Sequence, residues 1–145
     1  MAKVIQIDTY LAIEFEKMGP AIYQYNQPFA LECGVSLPKL KIAYHTYGEY
    51  TPGKKVAWVC HALTANSEVV EWWKGLIGEG SLINPNDYFI VCANIVGSCY
   101  GSTGPLSVED LGTEISLNNF PTLTIRDMVQ AHILLRQHLA IERID

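Results

Sequence analysis

Charge is scarce in this sequence. Asp, Glu, Lys and Arg make up only 17% of its 145 residues, where about a quarter is usual, although a short chain has proportionally more surface to cover. The shortage predicts that part of the surface is meant to face other protein, as in a piece of a larger fold. Clusters of Lys and Arg are also absent and the formal charge is −5, so there is no electrostatic footprint for a phosphate backbone and nucleic acid is excluded as a primary partner. Long apolar runs are missing too. Val56 to Cys60 and Tyr88 to Ala93 are strand-length, far short of the roughly 20 residues of a membrane helix. Met1 to Tyr10 is interrupted by Gln6 and Asp8 and lacks the continuous apolar core of a secretory signal, so a cytoplasmic address is expected. No C-x-x-C pair occurs among Cys33, Cys60, Cys92 and Cys99, which reads as buried reduced thiols rather than a disulfide framework or a zinc site.

What is present is an alternation of strand and helix signals. The first 25 residues stay open between a short strand at Val4, Ile5 and Ile7 and a helical turn or two over Leu11 to Met18. From Leu40 to Tyr47, Leu40, Ile42, Tyr44 and Thr46 share one face and Lys41, Ala43, His45 and Tyr47 the other, predicting a half-exposed strand. Phe29 to Cys33, joined to it through Gly34, is the expected antiparallel partner at a sheet edge. The runs at 56–60 and 88–93 are apolar on both faces, as parallel strands covered by helices must be. Glu68 to Ile77 between them is expected to form a helical crossover closed by Gly78, Gly80 and an Asn84-Pro85-Asn86-Asp87 turn. Thr124 and Asp127 have the spacing of a capping box, and Ile125, Met128, Val129, His132, Leu135 and Leu139 follow as one helical stripe. This order gives a doubly wound, mostly parallel α/β sheet with an antiparallel edge pair. The helix at 124–139 should deliver the chain to another parallel strand, for which only Ile141 to Asp145 remain.

Ligands in such sheets bind beyond the carboxyl ends of the strands, which directs attention to His61-Ala62-Leu63-Thr64-Ala65-Asn66-Ser67 and to the Gly-rich stretch Asn94 to Pro105. Three segments in and around these loops, His61 to Thr64, Asp87 to Pro105 and Phe120 to Val129, carry a resemblance to the homoserine O-acetyltransferases of the α/β-hydrolase fold. The resemblance extends from about Tyr25 to Asp145 and includes Leu31-Glu32-Cys33-Gly34, Ala43-Tyr44-His45-Thr46-Tyr47-Gly48, and a Gly101-Ser102-Thr103-Gly104-Pro105 run followed by Phe120-Pro121 and Thr124 to Val129. It implies residues 1–145 as the N-terminal half of an α/β-hydrolase domain, with 1–24 as an N-terminal extension and the sheet ending before the nucleophile strand. It also implies acyl transfer from acetyl-CoA or succinyl-CoA to homoserine through an acyl-serine, in methionine biosynthesis, with no bound cofactor and no metal.

None of the serines has Gly two before and two after it, so the nucleophile elbow of this fold is not in these residues, and the family's acid and His lie further downstream. The chain alone is therefore expected to be inactive. The one catalytic role carried over by resemblance is the main-chain N–H of Leu63 as an oxyanion-hole donor, with Ala62 and Thr64 beside the substrate. Ala65 stands where the family commonly has Gly, and Ser107 to Asn119 departs from its usual Gly-containing run. His61 reads as a hydrogen-bonded structural histidine, His132 as a core residue, and Trp72 and Trp73 as helix packing. A Cys60/Cys92/His61 metal site lacks ligand spacing. Cys99 is the most reactive-looking thiol but has no identified base. Gly97, Gly101 and Gly104 are not followed by the Gly-Lys-Ser/Thr of a P-loop. The rival readings are a non-catalytic binding module derived from the fold, and another acyltransferase (serine or deacetylcephalosporin acyltransferase) or an esterase sharing this half. Self-association is expected through an unpaired second edge of the strand at 56–60.

Overall fold

The structure, a computed structural model, describes residues 19–107, 111, 115 and 118–145. The expectations for Val4 to Met18 and for most of Ser107 to Asn119 lie outside the described residues. The main sheet contains β1 (Ala21–Tyr25), β4 (Leu40–Tyr47), β5 (Lys55–Val59) and β6 (Tyr88–Ala93) in the order β1-β4-β6-β5. β5 and β6 are parallel, with Val56 opposite Phe89 and Val59 opposite Cys92. β4 runs antiparallel to both of its neighbours, with Tyr44 opposite Ala21 on one side and Ala93 on the other.

The parallel core, with antiparallel strands on one side, follows the sequence expectation, but the partner of residues 40–47 does not. That partner is β1, together with β6, and not Phe29 to Cys33. β2 (Phe29–Ala30) and β3 (Ser36–Leu37) instead form a separate two-stranded ribbon. The reason is local: Gly34, in the left-handed region at φ 86°, turns the chain back after Leu31, whose N–H donates to Val35 O at 2.8 Å. Phe29, Leu31 and Leu37 are thereby buried under the sheet. With both edges of β4 paired, its predicted half exposure is corrected as well, since Leu40, Ile42, Ala43, Tyr44 and Tyr47 are buried and only Thr46 is exposed.

The crossover after β5 is the second correction. Only α1 (Val69–Trp72) is helical, because Trp73 leaves helical geometry at φ −122° and ψ 69° and Gly75 at φ 83° then turns the chain away, a conformation that side chains other than Gly rarely tolerate. α2 (Ile125–His138) agrees with the expected helix, and its capping box is complete: Thr124 accepts from Asp127 N–H while the Asp127 carboxylate accepts from Thr124 N–H. Its buried face is displaced from the predicted stripe. Asp127, Ala131 and Leu135 face inward, whereas Ile125 and Val129 are exposed. Asp127 sets this rotation, because the same carboxylate also receives the N–H of Glu32 from the β2–β3 ribbon.

The carboxyl-terminal residues return to β5. Asp145 N–H donates to Val56 O at 2.9 Å, and its side chain accepts from Val56 N–H at 3.0 Å. Ile141 is buried against Val56, Phe89 and Val91. Among the described residues no strand pairs with this side of β5. No helix of the described residues is long and apolar enough to cross a membrane.

Candidate active site

Because β5 and β6 are parallel neighbours, the loops that follow them, 60–67 and 94–105, emerge side by side at one end of the sheet. His61 ties them together. Its Nδ1 lies 2.8 Å from Ala62 O, which can only accept, and its Nε2 lies 3.3 Å from Ile95 N, which can only donate. Those partners select the neutral ring with its proton on Nδ1 and engage both nitrogens, the structural role read from the sequence. Ala62 O also accepts from Ala65 N–H at 2.9 Å, closing a turn with Leu63 and Thr64 at its apex.

This turn is presented to solvent. Ala62, Leu63 and Thr64 are exposed, Leu63 at 90%. Among the described residues nothing accepts from Leu63 N–H. Behind the turn, Asn66 Oδ1 accepts from Glu68 N–H and its carbonyl from Trp72 Nε1–H, at 2.8 and 2.9 Å. Trp72 is therefore an anchor for the loop. Its neighbour Trp73 is half-exposed, with the two rings tilted at 5.8 Å.

The Gly-rich loop is a structural element in its own right. β6 ends at Ala93, and beyond it Ser102 and Thr103 take over as hydrogen-bonding partners of β4. Ser102 Oγ accepts from Ala43 N–H at 3.1 Å and donates to Asn94 O, and Thr103 bonds Lys41 through both its main chain and its hydroxyl. Gly104 is required here, since a Cβ at that position would lie 2.7 Å from Ser98 O. Ser67, Asn94, Ser102 and Thr103, all buried polar residues, lie in stretches marked from the sequence, but no positioning role was read for any of them. The available signal was Asn94, a polar residue placed directly after a six-residue apolar strand.

The cysteines diverge from their expected burial. All four are free, but Cys33, Cys60 and Cys99 are exposed and only Cys92 is buried. Burial, with Cys60 nearby, pushes the Cys92 thiol up to about 12. Cys60 is exposed because it follows the last residue of β5 on the unpaired side of the sheet. Among the described residues no group of three His, Cys, Asp or Glu could hold a metal ion. His132 is half-buried, and burial holds its pKa below the ordinary value; the Asn94 main chain opposes that shift and His61 adds to it. Its ring packs 5.7 Å from Trp58 and lines an apolar cavity of about 210 Å³ with Cys60, Val129, Ile133 and Arg136. This cavity lies between α2 and the open side of β5.

The homoserine O-acetyltransferase of Chlorobaculum parvum is 50% identical over 123 residues, covering 84% of this chain and 35% of that protein. That of Cyclobacterium marinum is 42% identical over 137 residues, 94% of this chain and 38% of that protein. This chain is a homologue of part of the homoserine O-acetyltransferases. It spans about a third of the length of the curated relatives it matches. No protein-family model matches it. The crystal structure of homoserine O-acetyltransferase from Staphylococcus aureus superposes with a TM-score of 0.68 at 29% identity, covering 86% of this chain and 37% of that one. The acetyl esterase MekB gives a TM-score of 0.74 at 24% identity and so bears on the fold alone. The mixed sheet is that of part of an α/β-hydrolase fold.

Proposed function

We propose that this chain provides the oxyanion loop of a homoserine O-acyltransferase. The observation that carries the reading is the Leu63 N–H, without an acceptor among the described residues, at the apex of an exposed turn at the carboxyl end of β5 in a chain homologous to these enzymes. In the proposed reaction a serine hydroxyl attacks the thioester carbonyl of acyl-CoA, the tetrahedral oxyanion receives a hydrogen bond from Leu63 N–H, and the CoA thiol leaves. The homoserine hydroxyl then attacks the acyl-serine, giving O-acylhomoserine and the free serine. A donor aimed at developing charge is worth about 3–4 kcal/mol of barrier. Ala62 and Thr64 flank the donor and border the substrate.

The 145 residues contain no Gly-x-Ser-x-Gly, so in this reading the serine comes from a strand added along the open side of β5. Asp145, already bonded to Val56, lies at the start of that path. The acyl donor is acetyl-CoA or succinyl-CoA, no resident cofactor is needed, and the setting is the cytoplasm.

The test is a chimaera in which the remainder of the Chlorobaculum parvum protein follows Asp145. Homoserine-dependent release of CoA from acetyl-CoA, abolished when the nucleophile serine is replaced by Ala, is the expected result. A folded chimaera that hydrolyses acyl esters but transfers nothing to homoserine contradicts the proposal.

A further inference from the structure

Beneath the turn that presents Leu63 lies a buried side-chain chain that no hydrolase mechanism needs for proton transfer. Asn94 is 1% exposed. Its amide nitrogen donates twice, to Ser67 Oγ at 3.1 Å and to Tyr100 O at 2.7 Å. Ser67, also 1% exposed, closes the oxyanion loop, and Tyr100 lies in the middle of the Gly-rich loop. The main chain of Asn94 is fixed independently, its N–H donating to Ala43 O at 2.8 Å and its carbonyl accepting from Ser102 Oγ at 2.8 Å. One amide group thus binds both site loops to the end of β6. The connection continues upward, because the Tyr100 hydroxyl stands 3.5 Å from Thr64 O at the apex of the turn. It continues downward through Ser67 Oγ, 2.9 Å from His45 Nδ1 on β4.

We infer that Asn94 is a positioning residue for the oxyanion donor: its two N–H bonds fix Leu63 relative to the Gly-rich loop. This rests on the oxyanion-loop reading above. The chemistry is specific to an amide. Ser67 Oγ and Tyr100 O are both placed to accept, so the nearly isosteric Asn94→Asp presents a carboxylate to a carbonyl and a hydroxyl. Two donors are lost and repulsion toward Tyr100 O is added, while the backbone bonds to Ala43 and Ser102 can persist. Asn94 Oδ1 and His45 Nε2 are buried without a partner, so the hold on the loops comes from the two Asn94 N–H donors, and an oxyanion donor displaced by about 1 Å loses most of its effect on the reaction.

Two measurements test the inference. In the 145-residue chain, Asn94→Asp should speed amide hydrogen exchange at Ala65 and Ser98, whose N–H groups are bonded within the two loops, by about tenfold or more while the paired amides of β4 and β6 keep their protection. Ser67→Ala, which removes the loop-side acceptor together with its contact to His45, should speed exchange at Ala65 and not at Ser98, and it serves in place of Asn94→Asp if that variant fails to fold. In the active chimaera, Asn94→Asp should lower kcat by about tenfold or more with KM for acetyl-CoA held within about threefold. Thr103→Val, which destabilises the same region through Lys41 without touching Asn94, should leave kcat near the parent value. Unchanged exchange at Ala65 in both variants overturns the inference, as does an equal fall in kcat for Thr103→Val. If the parent chimaera is inactive, the functional reading fails instead, and the exchange result still decides whether Asn94 holds the loop.

Discussion

Thr103 and Lys41 are bonded twice where, among the described residues, no strand continues β6: Thr103 N–H donates to Lys41 O at 2.9 Å, and Lys41 N–H donates to Thr103 Oγ1 at 2.8 Å. A side chain here stands in for strand backbone, and Ser102 repeats the device at Ala43.

Thr103→Val keeps the shape but removes the acceptor, leaving the Lys41 N–H without it. Such a loss typically costs about 1–3 kcal/mol, whereas Thr103→Ser retains the oxygen and should lose clearly less. Urea midpoints of the two variants check this. A loss for Thr103→Ser larger than that for Thr103→Val would mean that the methyl packing, and not the hydroxyl, is what matters.

His132 should make stability depend on pH. Its pKa in the fold is held below the ordinary 6.5, chiefly by burial, so the folded state binds fewer protons than the unfolded chain as the pH falls past that value. Stability is therefore full above about pH 6.5 and declines until the folded-state pKa is passed. Asp127 adds a second limb at lower pH: burial alone would raise its pKa, but bonds from the main chain of Thr124 and Glu32 and from the Thr124 hydroxyl hold it below the usual carboxylate value. Comparing urea midpoints near pH 7.5 and pH 5.5 for the parent and His132→Gln isolates the first limb. The same decline in both proteins would remove His132 as its source.

Alkylation should divide the cysteines. Cys33, Cys60 and Cys99 are exposed, whereas Cys92 is buried with its thiol pushed up to about 12. Iodoacetamide at about pH 8 should modify the first three and spare Cys92 until denaturant is added. Rapid modification of Cys92 in the folded chain would show that β6 is not covered as described.

Sequence legibility followed the range of the forces involved. Helix α2 could be read because its capping box joins residues three apart, Thr124 and Asp127. β5 and β6 could be read because burial on both faces leaves apolar runs. The partner of β4 could not, since β1 lies about twenty residues away and Phe29 competes for the same inference at closer range. The inward face of α2 was misjudged for a related reason: Asp127 is turned inward by Glu32, a residue 95 positions earlier. At the site, the Leu63 turn was legible through family resemblance. Asn94 and Ser67 were not, because a buried polar pair is indistinguishable from loop residues until the strands bring them together.

The open side of β5 carries a prediction about association. Val129 is half-exposed beside Trp58 and Cys60 in the apolar cavity, a surface of the kind that drives strand addition. Sedimentation of the 145-residue chain at micromolar concentration should reveal dimers or larger species, and Val129→Lys should shift them toward monomer. A monomer with cooperative unfolding would show that the chain closes its own core.

The most direct test of the oxyanion assignment compares two substitutions at one position in the chimaera. Leu63→Ala keeps the N–H, so kcat should stay within about threefold of the parent, while Leu63→Pro removes the N–H itself and should lower kcat by about a hundredfold or more with an intact circular dichroism spectrum. Equal losses for the two variants would mean that Leu63 acts through its side chain, and would contradict the account.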